Sequence, residues 1–479
     1  GYPGEGVSYN AVVPFSCAAA GFSSGCQAIT DASGKPLGLD IGSPLHLPLG
    51  TADPTFRNNG NPGVGGGLDG IPDIMNVQTT SPTATSPQQF NGRMDYQATS
   101  RDLFVFSTYV VPVSRTSYNG PARAANLWHN DRTNEAATAL WTHTISPSWL
   151  NEARVGVTRW LWDEIGSNPQ APFGLPQANV DNIGSANLQY LGAPGPSILN
   201  QTTYNIRDTV SSVIGAHSFK FGADIYKEQD NDNSAPSGRP TYSFRNLWNL
   251  ANDAPYQEVG NFNPLTGEPS RATKYIRSSI YGFFFQDDWR IRPNLTLNLG
   301  LRWEYFTPVH EKYGNISNPI LGSLPNPLTG LRLKVGGDLY TASKNNWGPQ
   351  IGFAWRPNPG SQRWVLRGGA GIGYNRMQEA ITLNGRSNTP LIAGLTLTGA
   401  NILYQVPGDP KAYNGYPVNP AAILQFEPGT GLPANGTTVD LTGFPTNLPT
   451  PVTYRYSLES QYDLGGNWVS KLGYQGSLS

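Results

Sequence analysis

The chain has 479 residues, a net charge of −1 and only 14% charged residues, against the ~25% usual for globular domains, which gives no electrostatic case for nucleic acid or an anionic membrane surface as a partner. Hydrophobic content is just 38%, with 55 Gly, 41 Pro, 23 Tyr and 12 Trp, a composition that suits a membrane barrel with polar loops or a secreted all-β protein. No run of 18 apolar residues occurs, so a transmembrane helix is excluded.

Residues 1–87 carry almost no periodic segment and read as a long extracellular loop region. Gly1 follows no start Met or signal peptide, and Ser479 closes just after a strand, so the chain reads as a processed or partial polypeptide. Cys17 and Cys26 lie close together in a Gly/Ser/Ala-rich stretch. A local disulfide in an oxidising compartment is expected, because a metal site would need further Cys or His nearby. Asp69-Gly70-Ile71-Pro72-Asp73 resembles a fragment of a calcium loop, as does Asp230-Asn231-Asp232-Asn233. Calcium needs about six to eight oxygens, and neither run supplies a full set. Polar turns are the expected reading, with calcium through Asp69 and Asp73 a weak candidate and no other cofactor.

From Gln88 the pattern changes to long alternating strands, about twelve in six pairs over 88–479. Gln88 to Thr99 pairs with Arg101 to Ser114, where Leu103, Val105, Tyr109, Val111 and Val113 share one parity. Asn134 to Ile145 and Leu150 to Trp162 follow, then Tyr204 to Ile214 and Ser218 to Glu228. The fourth pair spans 279–307 and is the clearest. Leu295, Leu297, Leu299, Leu301, Trp303 and Tyr305 alternate with Thr296, Asn298, Gly300, Arg302 and Glu304. Asp287 breaks this pattern by falling on the apolar parity, which calls for a bulge or a position above the hydrocarbon. Tyr340 to Arg356 with Trp364 to Asn375, and Val452 to Leu464 with Trp468 to Gly476, complete the set. Such strands run to about twice the usual 5 or 6 residues, which suits a tilted crossing of a bilayer with a polar lumen.

The connections carry the strongest signal. Within pairs they are short, as at Ser146 to Trp149, Gly215 to His217, Arg292 to Asn294 and Gly465 to Asn467. Between pairs they are long, at about 115–133, 163–203, 229–278, 308–339 and 376–451. That asymmetry predicts an antiparallel transmembrane β-barrel with short periplasmic turns and long extracellular loops, here with an incomplete set of strands. Trp149, Trp160, Trp162, Trp289, Trp303, Trp364 and Trp468 cluster at strand ends and fit girdles at the two membrane interfaces.

Tyr281-Gly282-Phe283-Phe284-Phe285-Gln286-Asp287-Asp288-Trp289-Arg290, followed by Leu295-Thr296-Leu297-Asn298-Leu299-Gly300-Leu301-Arg302-Trp303-Glu304, resembles the barrel of TonB-dependent outer-membrane receptors. The likeness is to the Oar-like branch, which carries a carboxypeptidase-regulatory-like N-terminal domain. His217 to Asp224, Gly348 to Trp355, Val365 to Gly371 and Tyr454 to Gly476 are similar to later strands of that branch. The resemblance implies a barrel of about 22 strands with a plug in its lumen. It implies a Gram-negative outer membrane, with its lipid as surroundings, and uptake of a scarce substrate driven by TonB. The plug, the TonB-contacting segment and the N-terminal domain have no counterpart in this sequence, and only about twelve strands are recognisable.

No catalytic constellation is found, so no enzyme is expected: His46, His129, His143, His217 and His310 lie far apart in sequence. Arg302, Glu304, Arg367, Arg455 and Glu459 fall on the lumenal parity, where they either contact a plug through ion pairs or form a solvated wall. Trp248, Tyr256, Tyr404, Tyr413 and Tyr416 lie in the longest loops and are candidates for stacking on a sugar, peptide or siderophore-like substrate. Two other readings stand beside the receptor: a surface adhesin or filament-forming β protein, and a passive porin.

Overall fold

A computed structural model describes the strands Tyr9–Asn10, Asp40–Leu45 and Ile74–Val77 and residues 83–118, 127–166, 177–183, 186–188, 197–232, 240–244, 255–270, 273–361, 363–376, 383–403 and 418–479. Cys17, Cys26, Asp69, Asp73, Trp248, Tyr404, Tyr413 and Tyr416 lie outside the described residues. The three early strands form a small sheet of their own, although 1–87 shows no periodic pattern.

Twelve long strands form one antiparallel wall. They are β1 (Phe90–Gln97), β2 (Asp102–Tyr118), β3 (Leu127–Ser146), β4 (Trp149–Gly166), β5 (Ser197–Ile214) and β6 (His217–Asp232). β7 (Lys274–Arg292), β8 (Leu295–Phe306), β9 (Asn346–Trp355), β10 (Trp364–Tyr374), β11 (Val452–Gly465) and β12 (Trp468–Leu478) complete it. Each strand bonds to its neighbours in sequence order, and β1 and β12 do not pair to close a barrel. Ala84–Pro87 continues the β1 register along β2, so the wall begins inside the stretch assigned to a loop.

The six predicted hairpins are all present, but several strands extend further toward the long loops. β3 starts at Leu127 rather than Asn134, β5 at Ser197 rather than Tyr204, and β7 at Lys274 rather than Ser279. A crossing of the hydrocarbon takes only about 9 to 11 tilted residues. Above it the strand needs backbone pairing but no apolar alternation, so the extensions are polar and carry no period-two signal. In the fifth hairpin the first strand starts at Asn346, later than the predicted Tyr340, and Thr341–Ala342 instead pairs in parallel with Asn447–Leu448.

Register is unbroken across most of the wall and assigns every side chain to one of two faces. One face carries Phe221, Phe285 and Leu301 in one row, and Ile225, Tyr281 and Tyr305 in another. Its side chains are exposed: Phe283 is 50% accessible, Ile351 57% and Leu458 56%. A soluble sheet would bury such a face in a core; lipid covers it in a membrane wall. The opposite, polar face lines the concave side. Trp149, Trp289, Trp303, Trp364 and Trp468 share the apolar convex face by register. Trp160 and Trp162 do not: they fall on the concave parity, and Arg132 stacks over Trp162 at 3.6 Å. On β2 the register places Leu103, Val105 and Tyr109 on the concave parity, with Phe104 and Phe106 convex, so both faces of this strand are apolar.

Asp287 sits on the convex face without a bulge, since pairing runs straight through Gln286, Asp287 and Asp288 and shifts only between Arg290 and Arg292. His217 compensates it at 2.7 Å.

The buried apolar clusters lie in the long connections. Gln177–Ile183, Ala186–Leu188, Thr241–Phe244, Gln257–Phe262 and Ala393–Thr398 build a five-stranded sheet. Ile276, Val309, Ile316, Leu339, Tyr340, Leu383 and Phe444 form one core, and Phe262, Ala393, Leu395, Leu397 and Ala422 another. The long loops therefore fold into a cap with packed interiors of its own.

Candidate functional site

The concave face of β5–β12 surrounds a cavity of about 1180 Å³. Arg302, Glu304 and Arg455 line it, together with Gln350, Asn298 and glycines of β9 and β10. Arg367 and Glu459 lie on the same face, directly opposite each other on β10 and β11. All five residues predicted for the lumenal parity thus share one surface.

Their charges are paired along the wall. Asp224, only 1% exposed, receives both Nε and Nη2 of Arg207 at 2.5 Å, a two-point contact between directly opposed residues on β5 and β6. Arg302 reaches the same carboxylate at 3.5 Å and donates from Nε to Glu304 at 2.8 Å. It can do so because Gly282 stands between Asp224 and Glu304 in the register and leaves the guanidinium room to cross; a Cβ there would lie 2.6 Å from Arg302 Nη2. Lower on the wall Arg367 contacts Glu459 at 3.4 Å and Gln461 at 2.7 Å, and Lys471 contacts Glu459 at 2.9 Å. The result is a polar surface with several paired charges, lined by backbone wherever glycine replaces a side chain; of the charged residues at the cavity, Arg207, Arg302 and Arg455 are cationic and Glu304 is anionic.

Above the cavity the same face of β6 presents Glu228 and Asp232, which hold the cap. Arg376 pairs with Glu228, and Arg386 donates to Asp232 at 2.7 Å while its Nε donates to the carbonyl of Leu383, a residue of the first cap core. Asp230-Asn231-Asp232, considered above as a calcium run, is therefore strand, with Asn231 accepting from Arg277 at 3.0 Å. Among the described residues no three metal-ligating side chains converge.

Lys274 is the neighbour of Asp232 on β7, seven residues above Tyr281 and outside the hydrocarbon span. It is 2% exposed, and burial lowers its ammonium to about 8. Arg386 pushes the same way, against the pull of Glu311 and Asp232. Glu311 needs no lysine, because the backbone N–H groups of Tyr275, Tyr313 and Asn315 donate to it at 3.0, 2.8 and 2.7 Å.

Glu258 is the corresponding hub of the second cap unit. Burial raises its carboxyl above the ordinary range, and donors from Leu403 N at 2.9 Å and Asn419 Nδ2 at 3.0 Å partly offset this. Two long connections thus meet on one buried carboxylate, Glu258 from the one between β6 and β7 and its two donors from the one between β10 and β11. Tyr256, the described member of the predicted aromatic set, is half-buried beside it and donates its backbone N–H to Ser243 at 2.9 Å. Sequence reasoning missed Glu228, Glu258 and Lys274 and read Asp232 only as part of a calcium-like run; charged side chains on an otherwise polar strand end were their only signal.

A family model described as an outer membrane beta barrel domain matches residues 6–479. The TonB-dependent transporter Oar of Myxococcus xanthus is 24% identical over 205 residues, covering 40% of this chain and 17% of that protein. Among solved structures, the outer membrane transporter YddB of Escherichia coli superposes with a TM-score of 0.50 at 11% identity, covering 82% of this chain and 40% of that one. The ferric enterobactin receptor PfeA of Pseudomonas aeruginosa matches with a TM-score of 0.45 at 12% identity over 82% of this chain and 42% of its own. The chain spans less than half the length of each of these relatives. Oar is named a transporter, and the likeness to it favours neither the adhesin or filament reading nor the passive porin. With its apolar convex wall, short turns and capped long-loop end, the chain belongs to the outer membrane β-barrel family and resides in the outer membrane of a Gram-negative bacterium.

Proposed function

We propose that this chain supplies wall and extracellular cap to a TonB-dependent receptor that takes up a scarce substrate across the outer membrane. The observation that carries the reading is the lumenal face, which is polar and not filled by its own side chains. Such a surface suits a plug docked on Arg302, Glu304, Arg367, Arg455 and Glu459, with TonB supplying the energy through that plug. The cap provides the capture surface, and the aromatic residues Trp248, Tyr256, Tyr404, Tyr413 and Tyr416 are its candidate contacts. An oligosaccharide, a peptide or a siderophore-like molecule would each suit aromatic stacking with polar rims. The likeness to Oar and to YddB supports transport as the activity.

The test is a comparison of uptake in three strains: wild type, a deletion of this protein, and a deletion of TonB. Each is grown on a panel of limiting nutrients. The reading expects one substrate class to be lost in both deletions and restored by the intact gene. Uptake that persists without TonB would point to passive diffusion, and loss of surface attachment with normal uptake would point to an adhesin.

A further inference from the structure

Two clusters of the same composition stand on the convex face at the short-turn end. In the first, His143 Nδ1 lies 2.7 Å from Asp102, its direct register partner, and Trp141 donates its indole N–H to the same carboxylate at 3.1 Å. Phe104 stacks on Trp141 at 6.1 Å, and Trp141 packs at a tilt against His143 at 5.5 Å. In the second, His217 Nδ1 lies 2.7 Å from Asp287, and its ring stacks between Phe219 at 5.3 Å and Trp289 at 5.2 Å. The two are built from different hairpins, β2–β3 and β6–β7, with no shared residue.

An aromatic belt at a membrane interface needs Trp and Tyr, not carboxylates. An aspartate facing lipid is costly unless a partner neutralises it. Here each aspartate engages Nδ1 of an imidazole and thereby fixes the other nitrogen, Nε2, as the free one. Each imidazole is about one-third exposed, His143 at 33% and His217 at 36%. Around the second cluster two further polar atoms are buried without a partner: Asp287 Oδ1 and Ser212 Oγ, which flank Phe219 in a single register row. Buried polar groups ordinarily find partners. Both clusters lie within a few residues of the turns at 147–148, 215–216 and 293–294, at the level where headgroups of the periplasmic leaflet meet the barrel.

We infer that the His143–Asp102 and His217–Asp287 clusters are binding sites for phospholipid headgroups of the periplasmic leaflet, each imidazole Nε2–H donating to a headgroup phosphate. A phosphate at Nε2 takes up the second nitrogen of an imidazole whose Nδ1 is held by the aspartate, with the indole and phenyl rings packing the glycerol and upper acyl chain. The inference rests on the membrane location and not on the identity of any transported substrate.

The test is native mass spectrometry of the full-length protein, released from mixed micelles holding equal amounts of phosphatidylethanolamine and a diacyl glucolipid with the same chains. The glucolipid has the same tails and no phosphate. Wild type is expected to retain phosphatidylethanolamine at least about tenfold over the glucolipid. The paired variants His143→Phe/Asp102→Asn and His217→Phe/Asp287→Asn keep an aromatic ring and remove the free charge. Each is expected to lose one retained phospholipid, and their combination to fall to the glucolipid level. His129→Phe, at the opposite end of β3, is expected to change nothing. Heat-modifiable gel mobility reports whether each variant is folded, and the lipid preference of wild type tests the inference even if none is. Equal retention of the two lipids by wild type, or an undiminished count in the combined folded variant, would overturn it.

Discussion

Replacing Lys274 by Met should tighten the cap at neutral pH, although the lysine sits among carboxylates. Its fall from 10.5 to about 8 on burial means that the folded cap binds fewer protons here than the open one between those two values. Stability therefore rises with pH across that window, and below about pH 8 the cap carries the full cost of the buried ammonium. The cost is ~3 kcal/mol at pH 7 and ~1 kcal/mol at pH 9.5, counting 1.36 kcal/mol per pH step. Lys274→Met removes that cost without orphaning a carboxylate, because Asp232 keeps Arg386 and Glu311 keeps three backbone donors. Cap opening is read as the rate of limited proteolysis of the 383–403 and 418–451 segments in detergent, taken as a ratio of variant to wild type at each pH. That ratio cancels the pH dependence of the protease. The variant should open at least about tenfold less often at pH 7, with a gap that narrows steadily toward pH 9.5. A variant that opens more often than wild type at pH 7, or a ratio flat in pH, would refute the reasoning and show that the lysine is a net anchor.

Glu258→Gln should remove an opposite pH dependence. Its raised carboxyl favours the folded cap at low pH, and that contribution is lost as pH rises through its folded value; hydrogen exchange of 257–262 and 393–398 should therefore show protection falling with pH in wild type and flatter in the variant. Gly282→Val should push the Arg302 guanidinium off Asp224 while leaving the Arg207 pair intact. Because Arg302 is partly exposed, the loss in thermal stability should be at most ~1 kcal/mol, whereas Asp224→Asn should cost more, since it leaves two guanidinium groups facing a neutral amide. Melting curves of the two variants in the same detergent rank them.

The wall was legible in the sequence because lipid imposes a rule on every second residue. Leu295 to Tyr305 and Val452 to Tyr462 must be apolar on one parity to face hydrocarbon, and that requirement is local. The cap was not legible because its cores draw Ile276, Val309, Leu383 and Phe444 from the three predicted connections 229–278, 308–339 and 376–451, with no shared period. The strand extensions escaped for the same reason as the cap anchors: beyond the bilayer, alternation ceases to be enforced. Trp160 and Trp162 were assigned to a girdle on type alone, and their even parity on β4 places them with Arg154 and Glu152 on the concave side. Asp287 was an anomaly in sequence because its partner, His217, lies 70 residues away and becomes adjacent only when β6 pairs with β7.

One strand ties these regions together. β6 carries Asp224, Glu228 and Asp232 on a single face, four residues apart and so ~13 Å apart at each step along an extended chain. Asp224 is held by arginines of the neighbouring wall, and Glu228 and Asp232 by arginines of the cap. All three carboxylates are nearly inaccessible, at 1%, 5% and 1%. Each carboxylate is buried while its arginine stays partly exposed, so losing the arginine leaves a buried charge unpaired, and Glu228 and Asp232 are the positions where cap and wall resist separation. The cap is therefore fastened to an extended strand that also forms the lumen, rather than hung on loops. Any displacement of the 383–403 segment from the mouth must break Arg386 from Asp232, on the same strand whose lower half carries Asp224, the carboxylate that holds Arg207 and Arg302 of the cavity wall.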